Sequence, residues 1–254
     1  MFFDTHAHLH YVDFEQDREA MIQRAESAGV KYFLNVGTDL ASSRASLALA
    51  ESHSNIWAAA GIHPHDAVKA TEEDFAAIES LMGHERMAAV GEVGLDFFRD
   101  HSPADVQKDV FRRFVEMSLR VRKPLIIHCR DAYDALIEIL REIQPSRYAG
   151  VIHCFSSDKQ VMDKLLELGF YISFAGPLSY KKNDVLREAC LACPRDRLLL
   201  ETDAPFLPPQ SLRGKRNESA YMLETASVMA ELHGLDLAAL ADLTTCNARR
   251  LFRL

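Results

Sequence analysis

Histidine, glutamate and aspartate recur at the ends of short apolar runs in this 254-residue chain. The stretch "DTHAHLH" puts His6, His8 and His10 on alternate residues. "WAAAGIHPH" runs into His63 and His65, and "MAAVGEVGLD" passes through Glu92. "PLIIHCRD" ends in His128, "GVIHCFS" in His153 and "RLLLETDAP" in Asp203. Neutral imidazole and carboxylate are the side chains that hold divalent metals. A single histidine near a strand end is ordinarily a hydrogen-bonded core or surface residue. Four histidines, a glutamate and an aspartate closing separate runs point instead to a metal centre. His10 lies past its run, in a loop or facing substrate. His53, His84, His101 and His233 fall in helical or loop stretches and are read as structural.

The candidate ligands are His6, His8, Glu92, His128, His153 and Asp203. A catalytic zinc commonly takes three protein ligands and keeps a position open, so a set this large would crowd water off one ion. Two ions sharing a carboxylate would leave room. Glu92 comes from the middle of the set and is the natural bridge. Bridged pairs sit about 3.5–4 Å apart and suit in-line displacement at phosphorus. Two divalent ions bring a charge of about +4 against −2 from Glu92 and Asp203, so the pocket of an acidic protein can still attract a phosphate. Imidazoles with carboxylates suit Zn, Mn, Co or Ni better than Mg.

Positioning these residues requires strands whose ends meet. Eight β-rich runs are predicted: 2–6, 32–37, 56–62, 87–92, 125–129, 151–155, 170–174 and 198–203. Helical patterns such as "ADVQKDVFRRFVEMSLRVR" and "DAYDALIEILREI" lie between them. Alternation of this kind argues for right-handed crossovers and a parallel sheet. The expected fold is a (β/α)8 TIM barrel forming one domain over residues 1–254, with its active site at the C-terminal ends of the strands. An open doubly wound sheet is the rival, and it would gather its ligand residues at one crevice. Residues i and i+2 of a strand share a face about 7 Å apart. That parity points His6 and His8 into the barrel mouth and turns Thr5, Ala7, Cys129 and Cys154 outward. It also points Asp4 and Glu201 inward, where each could accept the far N–H of a metal-bound imidazole. An internal ion pair is the alternative for both.

Composition agrees with a globular enzyme and excludes other classes. The chain is 48% hydrophobic and 26% charged, with a net charge of −8, which is no broad DNA-coating surface. No apolar run approaches the roughly 18 residues of a membrane span, and the N-terminal stretch has no secretory-signal pattern. Five cysteines, an odd number, suggest free thiols in a reducing, cytoplasmic setting. Cys190 and Cys193 form one CxxC in a helical stretch with no second pair beside it, which reads as packing. No heptads or spare apolar helix face are evident, so a monomer is expected.

Taken together, "DTHAHLH", "AAAGIHPHDA", "VGEVGLDFF", "PLIIHCRDA", "GVIHCFS", "ISFAGPLSY", "LLLETDAP" and "LRGKRNES" resemble, in order and spacing, the TatD family of metal-dependent hydrolases, which includes TatD-type deoxyribonucleases among the amidohydrolase-like barrels. The resemblance covers essentially the whole chain. It implies a binuclear barrel in which His6, His8 and Asp203 hold one metal, His128 and His153 the other, and Glu92 bridges them. His63 then looks substrate-facing. Ser219 stands where many relatives have proline, a departure expected to touch loop stiffness and hardly the chemistry.

The activity this implies is phosphodiester hydrolysis of DNA by a 3′→5′ exonuclease, with Asp203 orienting a water and accepting its proton. Arg130 and His63 could hold the scissile phosphate, and Arg213, Lys215 and Arg216 the next one. Phe97 and Phe98 could stack bases or pack beneath their loop, and Tyr180 with Lys181 and Lys182 raises the same question. The rival on the same site is an ester or amide hydrolase, such as a D-aminoacyl-tRNA deacylase or a lactonase. Many such barrels are bridged by a carboxylated lysine, and no lysine stands near Glu92. A non-enzymatic metal-binding protein is a further rival, which the full ligand set argues against.

Overall fold

The structure is a computed structural model that describes residues 1–99, 101–144 and 149–254. Its strands are β1 (Phe2–Ala7), β2 (Val30–Val36), β3 (Ile56–Ala60), β4 (Met87–Asp96), β5 (Leu125–Arg130), β6 (Gly150–Ile152), β7 (Tyr171–Phe174) and β8 (Leu198–Leu200). They form one eight-stranded sheet in sequential order, with every pairing parallel. A bridge from Ala7 to Ala204 brings the last strand round to the first, backed by the His8 N–H donating to Ala204 O at 2.7 Å. The molecule is a TIM barrel, as the alternation of elements predicts. No described helix is long and apolar enough to cross a membrane.

The crossover helices are α1 (Arg18–Ser27), α2 (Leu40–Ser52), α3 (Glu72–Leu81), α4 (Ala104–Val121), α5 (Tyr133–Ile143), α6 (Lys159–Glu167), α7 (Asp184–Ala192) and α8 (Met222–His233), with α9 (Leu237–Phe252) appended. Local chemistry sets their starts. Asp39 and Thr71 close capping boxes with Ser42 and Asp74, and Asp158 and Asp236 cap α6 and α9. α4 turns Val110, Phe111, Phe114, Val115 and Met117 to the sheet, and such side chains each contribute about 1.5–3 kcal/mol on burial.

Two cores result. The larger lies between strands and helices. The smaller takes a residue from every strand, among them Phe3, Leu34, Ala59, Ala89, Ile126, Val151, Tyr171 and Leu199, with Ala248 and Phe252 of α9 joining from the helix layer and Leu251 packed beside them. It fills the barrel interior, and α9 closes the floor with Phe252 6.4 Å from Phe3, ring to ring.

Strict alternation fails at two rim positions. In β1, Asp4 pairs with Phe33 and Ala7 with Asn35, so three residues advance against two. In β4, Val90 pairs with Leu125 and Val93 with Ile127, with the same excess. A bulge of this kind re-aims side chains. Thr5, expected outward, reaches Ser173 Oγ at 3.5 Å and Leu200 O at 3.0 Å. Asp4, expected inward, turns to Thr202 and Ser219. The bulge in β4 falls at Glu92, after Ala89 has already pointed into the interior core.

Candidate metal centre

Glu92 stands at the middle of the barrel mouth, 3% exposed, and its two oxygens face different partners. Oε2 lies 3.4 Å from His6 Nε2 and 3.5 Å from His8 Nε2. Oε1 lies 3.0 Å from His153 Nε2, 3.1 Å from His128 Nδ1 and 3.4 Å from His63 Nε2. Asp203 Oδ1 is 3.5 Å from His8 Nε2 and 3.8 Å from His6 Nε2. The six side chains expected from the sequence therefore meet, and His63 joins them on the Oε1 side.

Backbone geometry makes this convergence possible. Gly94 pairs with His128, and a Cβ there would lie 1.9 Å from His128 O, so only glycine lets β4 and β5 approach at this level. Asp203 has φ +58°, a left-handed conformation that aspartate tolerates better than most residues. Its N–H donates to His6 O at 2.9 Å. Both flanks of Asp203 are tied down. Asp4 accepts from the Thr202 N–H at 3.0 Å and from the Thr202 and Ser219 hydroxyls at 2.6 Å each. Asn217 Nδ2 donates to Thr202 O at 2.9 Å and to Phe206 O at 2.7 Å. Asp4 thus orders the segment that carries Asp203. The imidazole-orienting role expected for it is not what the geometry shows, because the β1 bulge turns its carboxylate away and leaves the buried His6 Nδ1 without a hydrogen-bond partner among the described residues.

Other groups do orient the imidazoles. His153 Nδ1 lies 3.2 Å from Glu201 Oε1, and His8 Nδ1 lies 2.7 Å from Val36 O. His128 Nε2 lies 3.1 Å from Asp96 Oδ2, an oxygen that also meets His65 Nε2 at 2.9 Å. A ring nitrogen engaged from behind leaves the other aimed at the centre. Asp96, 1% exposed, escaped the sequence reading because β4 was ended at Glu92. The spacing Glu92, Gly94, Asp96 was the available signal: continued alternation puts all three on one face.

The electrostatics call for positive charge. Burial works against a charged His153, but Glu92 and Glu201 outweigh it and hold its pKa well above the usual value. Burial likewise opposes a charged Glu92, yet His153, His63 and His128 hold its carboxyl well below the ordinary range. Burial, helped by the neighbouring imidazoles of His128, His65 and His153, pushes His63 well down against the pull of Glu92. Nitrogen also faces nitrogen: His6 Nε2 and His8 Nε2 are 3.3 Å apart, as are His128 Nδ1 and His153 Nε2. Two lone pairs aimed at one space fit a shared cation. Among the described residues, three sets have ligand atoms within 4.8 Å of one another: His6, His8 and Asp203; His6, His153 and Glu201; and His63, Glu92 and His128. This donor chemistry fits a divalent metal site.

A cavity of about 620 Å³ opens above these residues, lined also by Tyr11, His65, Asp96, Arg99, Arg130 and Phe206. Arg130, expected to hold phosphate, lines the cavity with its guanidinium 3.6 Å over the Phe98 ring. Cys154, expected outward, lines the cavity, its backbone held by an N–H to Glu201 at 2.7 Å. The three residues expected to hold the next phosphate, Arg213, Lys215 and Arg216, do not line the cavity, and two of them are engaged elsewhere. Arg216 is committed to Asp17 through bonds of 2.7 and 2.8 Å and to Asp13 O at 2.6 Å. Arg213 stacks 4.5 Å over Tyr180 and is not among the lining residues. In both cases a carboxylate or ring outside the cavity takes the guanidinium. Cys190 and Cys193 are buried at the end of α7, with Cys190 Sγ 4.0 Å from His233 Nε2, which is packing.

A family model described as TatD related DNase matches residues 3–253. An uncharacterized metal-dependent hydrolase, YabD of Bacillus subtilis, is 42% identical over 254 residues, covering 100% of both chains. A 3′-5′ ssDNA/RNA exonuclease TatD from Erwinia tasmaniensis is 36% identical over 258 residues, covering 99% of this chain and 100% of its own. The crystal structure of YJJV, a TatD homolog from Escherichia coli K12, superposes with a TM-score of 0.95 at 30% identity, covering 100% of this chain and 98% of the other.

Proposed function

The chain belongs to the TatD family of metal-dependent hydrolases, and from that footing we propose that it is a 3′→5′ exonuclease that hydrolyses phosphodiester bonds of single-stranded DNA. The observation that carries this reading is the division of Glu92, one oxygen toward His6 and His8 and the other toward His128, His153 and His63. A carboxylate placed so would bridge two ions. A relative is named as a 3′-5′ ssDNA/RNA exonuclease, which supports this substrate class. No lysine lines the cavity among the described residues, so a carboxylated-lysine bridge of the amidohydrolase kind has no candidate.

His6, His8 and Asp203 would hold one ion, and His128 and His153 the other, with His63 within reach of the second. When bound, divalent ions supply Lewis acidity: they lower the pKa of water and neutralise charge on phosphate oxygens. The chain's own groups do the rest. Asp203, 8% exposed at the cavity floor, orients the attacking water and takes its proton on a carboxylate oxygen. Arg130 and Arg99, on the wall by β4 and β5, hold the scissile phosphate. Glu201 and Asp96, behind His153 and His128, keep the imidazoles in the tautomer that offers a lone pair to the centre.

The test is a substrate panel assayed with Mn, Zn and Mg and with chelator: a 3′-tailed oligodeoxynucleotide, the matching RNA, a D-aminoacyl-tRNA and a simple lactone. Release of 5′-mononucleotides from the 3′ end, abolished by chelator, is expected. Hydrolysis confined to the lactone or the aminoacyl ester overturns the proposal in favour of a deacylase or lactonase.

A further inference from the structure

Two large apolar side chains stand exposed at the edge of this cavity. Phe206 is 47% and Leu207 37% exposed, and both line the opening. They follow Asp203 after Ala204 and Pro205, and their backbone is held by hydrogen bonds and close packing. The Phe206 N–H donates to Asp203 O at 2.8 Å, and Asn217, itself buried, donates to Phe206 O. Leu207 O packs on Gly176, where a Cβ would come within 2.0 Å. Neither side chain belongs to the barrel cores. The Phe206 ring lies 5.9 Å from His8 and 5.8 Å from Tyr11, and Tyr11 in turn stacks on His8 at 4.9 Å with an interplanar angle of 24°.

We propose that Phe206, with Leu207 beside it, is the stacking shelf for the base of the substrate's 3′-terminal nucleotide. The proposal rests on the nuclease reading above and adds the part of the substrate that is gripped. A ring face left open to solvent beside a ligand histidine gains by being covered, and every base has a flat π-face that can cover it. The opposite wall, with Arg99 and Arg130, is cationic and suits phosphate. The cavity is thereby divided, with the phosphate toward β5 and the base toward the segment after β8. Phe206 sits close enough to His8 for a base and its own phosphate to span the two.

Two oligodeoxynucleotides identical except for the 3′-terminal residue, one carrying thymine and one an abasic tetrahydrofuran, test this with wild type, Phe206→Ala and Phe206→Trp. Wild type is expected to prefer the base-bearing end by about tenfold in kcat/KM. Phe206→Ala should bring that ratio near one, and Phe206→Trp should keep or raise it. Because the side chain is half exposed, the alanine variant is expected to fold. Rapid cleavage by wild type with a ratio near one, or a ratio that persists in Phe206→Ala, overturns the shelf and leaves the nuclease reading standing. Release of nucleotides from neither oligonucleotide overturns both.

Discussion

Asp96 and His128 meet tip to tip: carboxylate Oδ2 lies 3.1 Å from ring Nε2, which turns Nδ1 toward Glu92 Oε1 at 3.1 Å. Asp96 touches no other expected ligand, yet it determines what His128 offers. Replacing it by asparagine should weaken metal binding by about 10–100-fold, the usual cost of losing such a partner. Competition with a calibrated chelator measures this. An affinity equal to wild type would show that His128 needs no support from behind.

Glu92→Gln should reduce hydrolysis by at least about 10²–10³-fold, a span known for single preorganised groups. The amide keeps the size of the side chain and loses the charge that both sets of nitrogens face. Rates should be compared in protein whose circular dichroism matches wild type. Undiminished turnover would place the chemistry at another site.

Stripping metal should lower the melting temperature as well as the activity. A ligand present at about 1,000 times its Kd stabilises by roughly 4 kcal/mol, and a chain of this size shifts about 2–4 °C per kcal/mol. Calorimetry before and after dialysis against chelator should show a fall on the order of 10 °C that added metal reverses. An unchanged transition would mean that the folded chain holds no ion.

Asp17 gives a pH prediction away from the centre. Bonds from Arg216 and Arg24 hold its carboxyl well below the usual range. A carboxyl depressed on folding contributes stability that is present above its unfolded pKa, about 3.9, and is lost as pH falls through the folded value. The gap in urea midpoint between wild type and Asp17→Asn should therefore be widest near neutrality and shrink below about pH 4. A gap independent of pH would assign the stabilisation to shape alone.

Ser219→Ala should cost about 1 kcal/mol, because it removes one of the hydroxyls that satisfy buried Asp4. Ser219→Pro removes the same donor and should cost as much even if the loop accepts the ring. Urea unfolding measures both. The sequence reading assigned this position only to loop stiffness, and the structure gives the hydroxyl a buried carboxylate to serve.

The eight strands, the barrel and the six converging side chains were legible because hydrophobic period and ligand type repeat at each strand end. What escaped depended on places where the period breaks. Asp4 was misdirected because a bulge in β1 cannot be counted from residue types. Asp96 was missed because β4 runs four residues beyond the expected end. Arg216 read as a phosphate ligand because charge in a rim loop looks the same whether or not a carboxylate from α1 and its approach waits for it. Phe206 carried no signal at all. Its backbone is held by Asn217, and the next residue's carbonyl, Leu207 O, rests against Gly176 of the segment after β7, contacts that residue types along the chain do not announce.

The plug of Phe3, Trp57 and Phe252 at the barrel floor makes the cavity a blind alley. For the exonuclease proposed above, nothing passes through this floor, so a strand end and each released fragment would use the same entrance. Leaving products and arriving strands then compete for one doorway, and turnover should slow as mononucleotide accumulates.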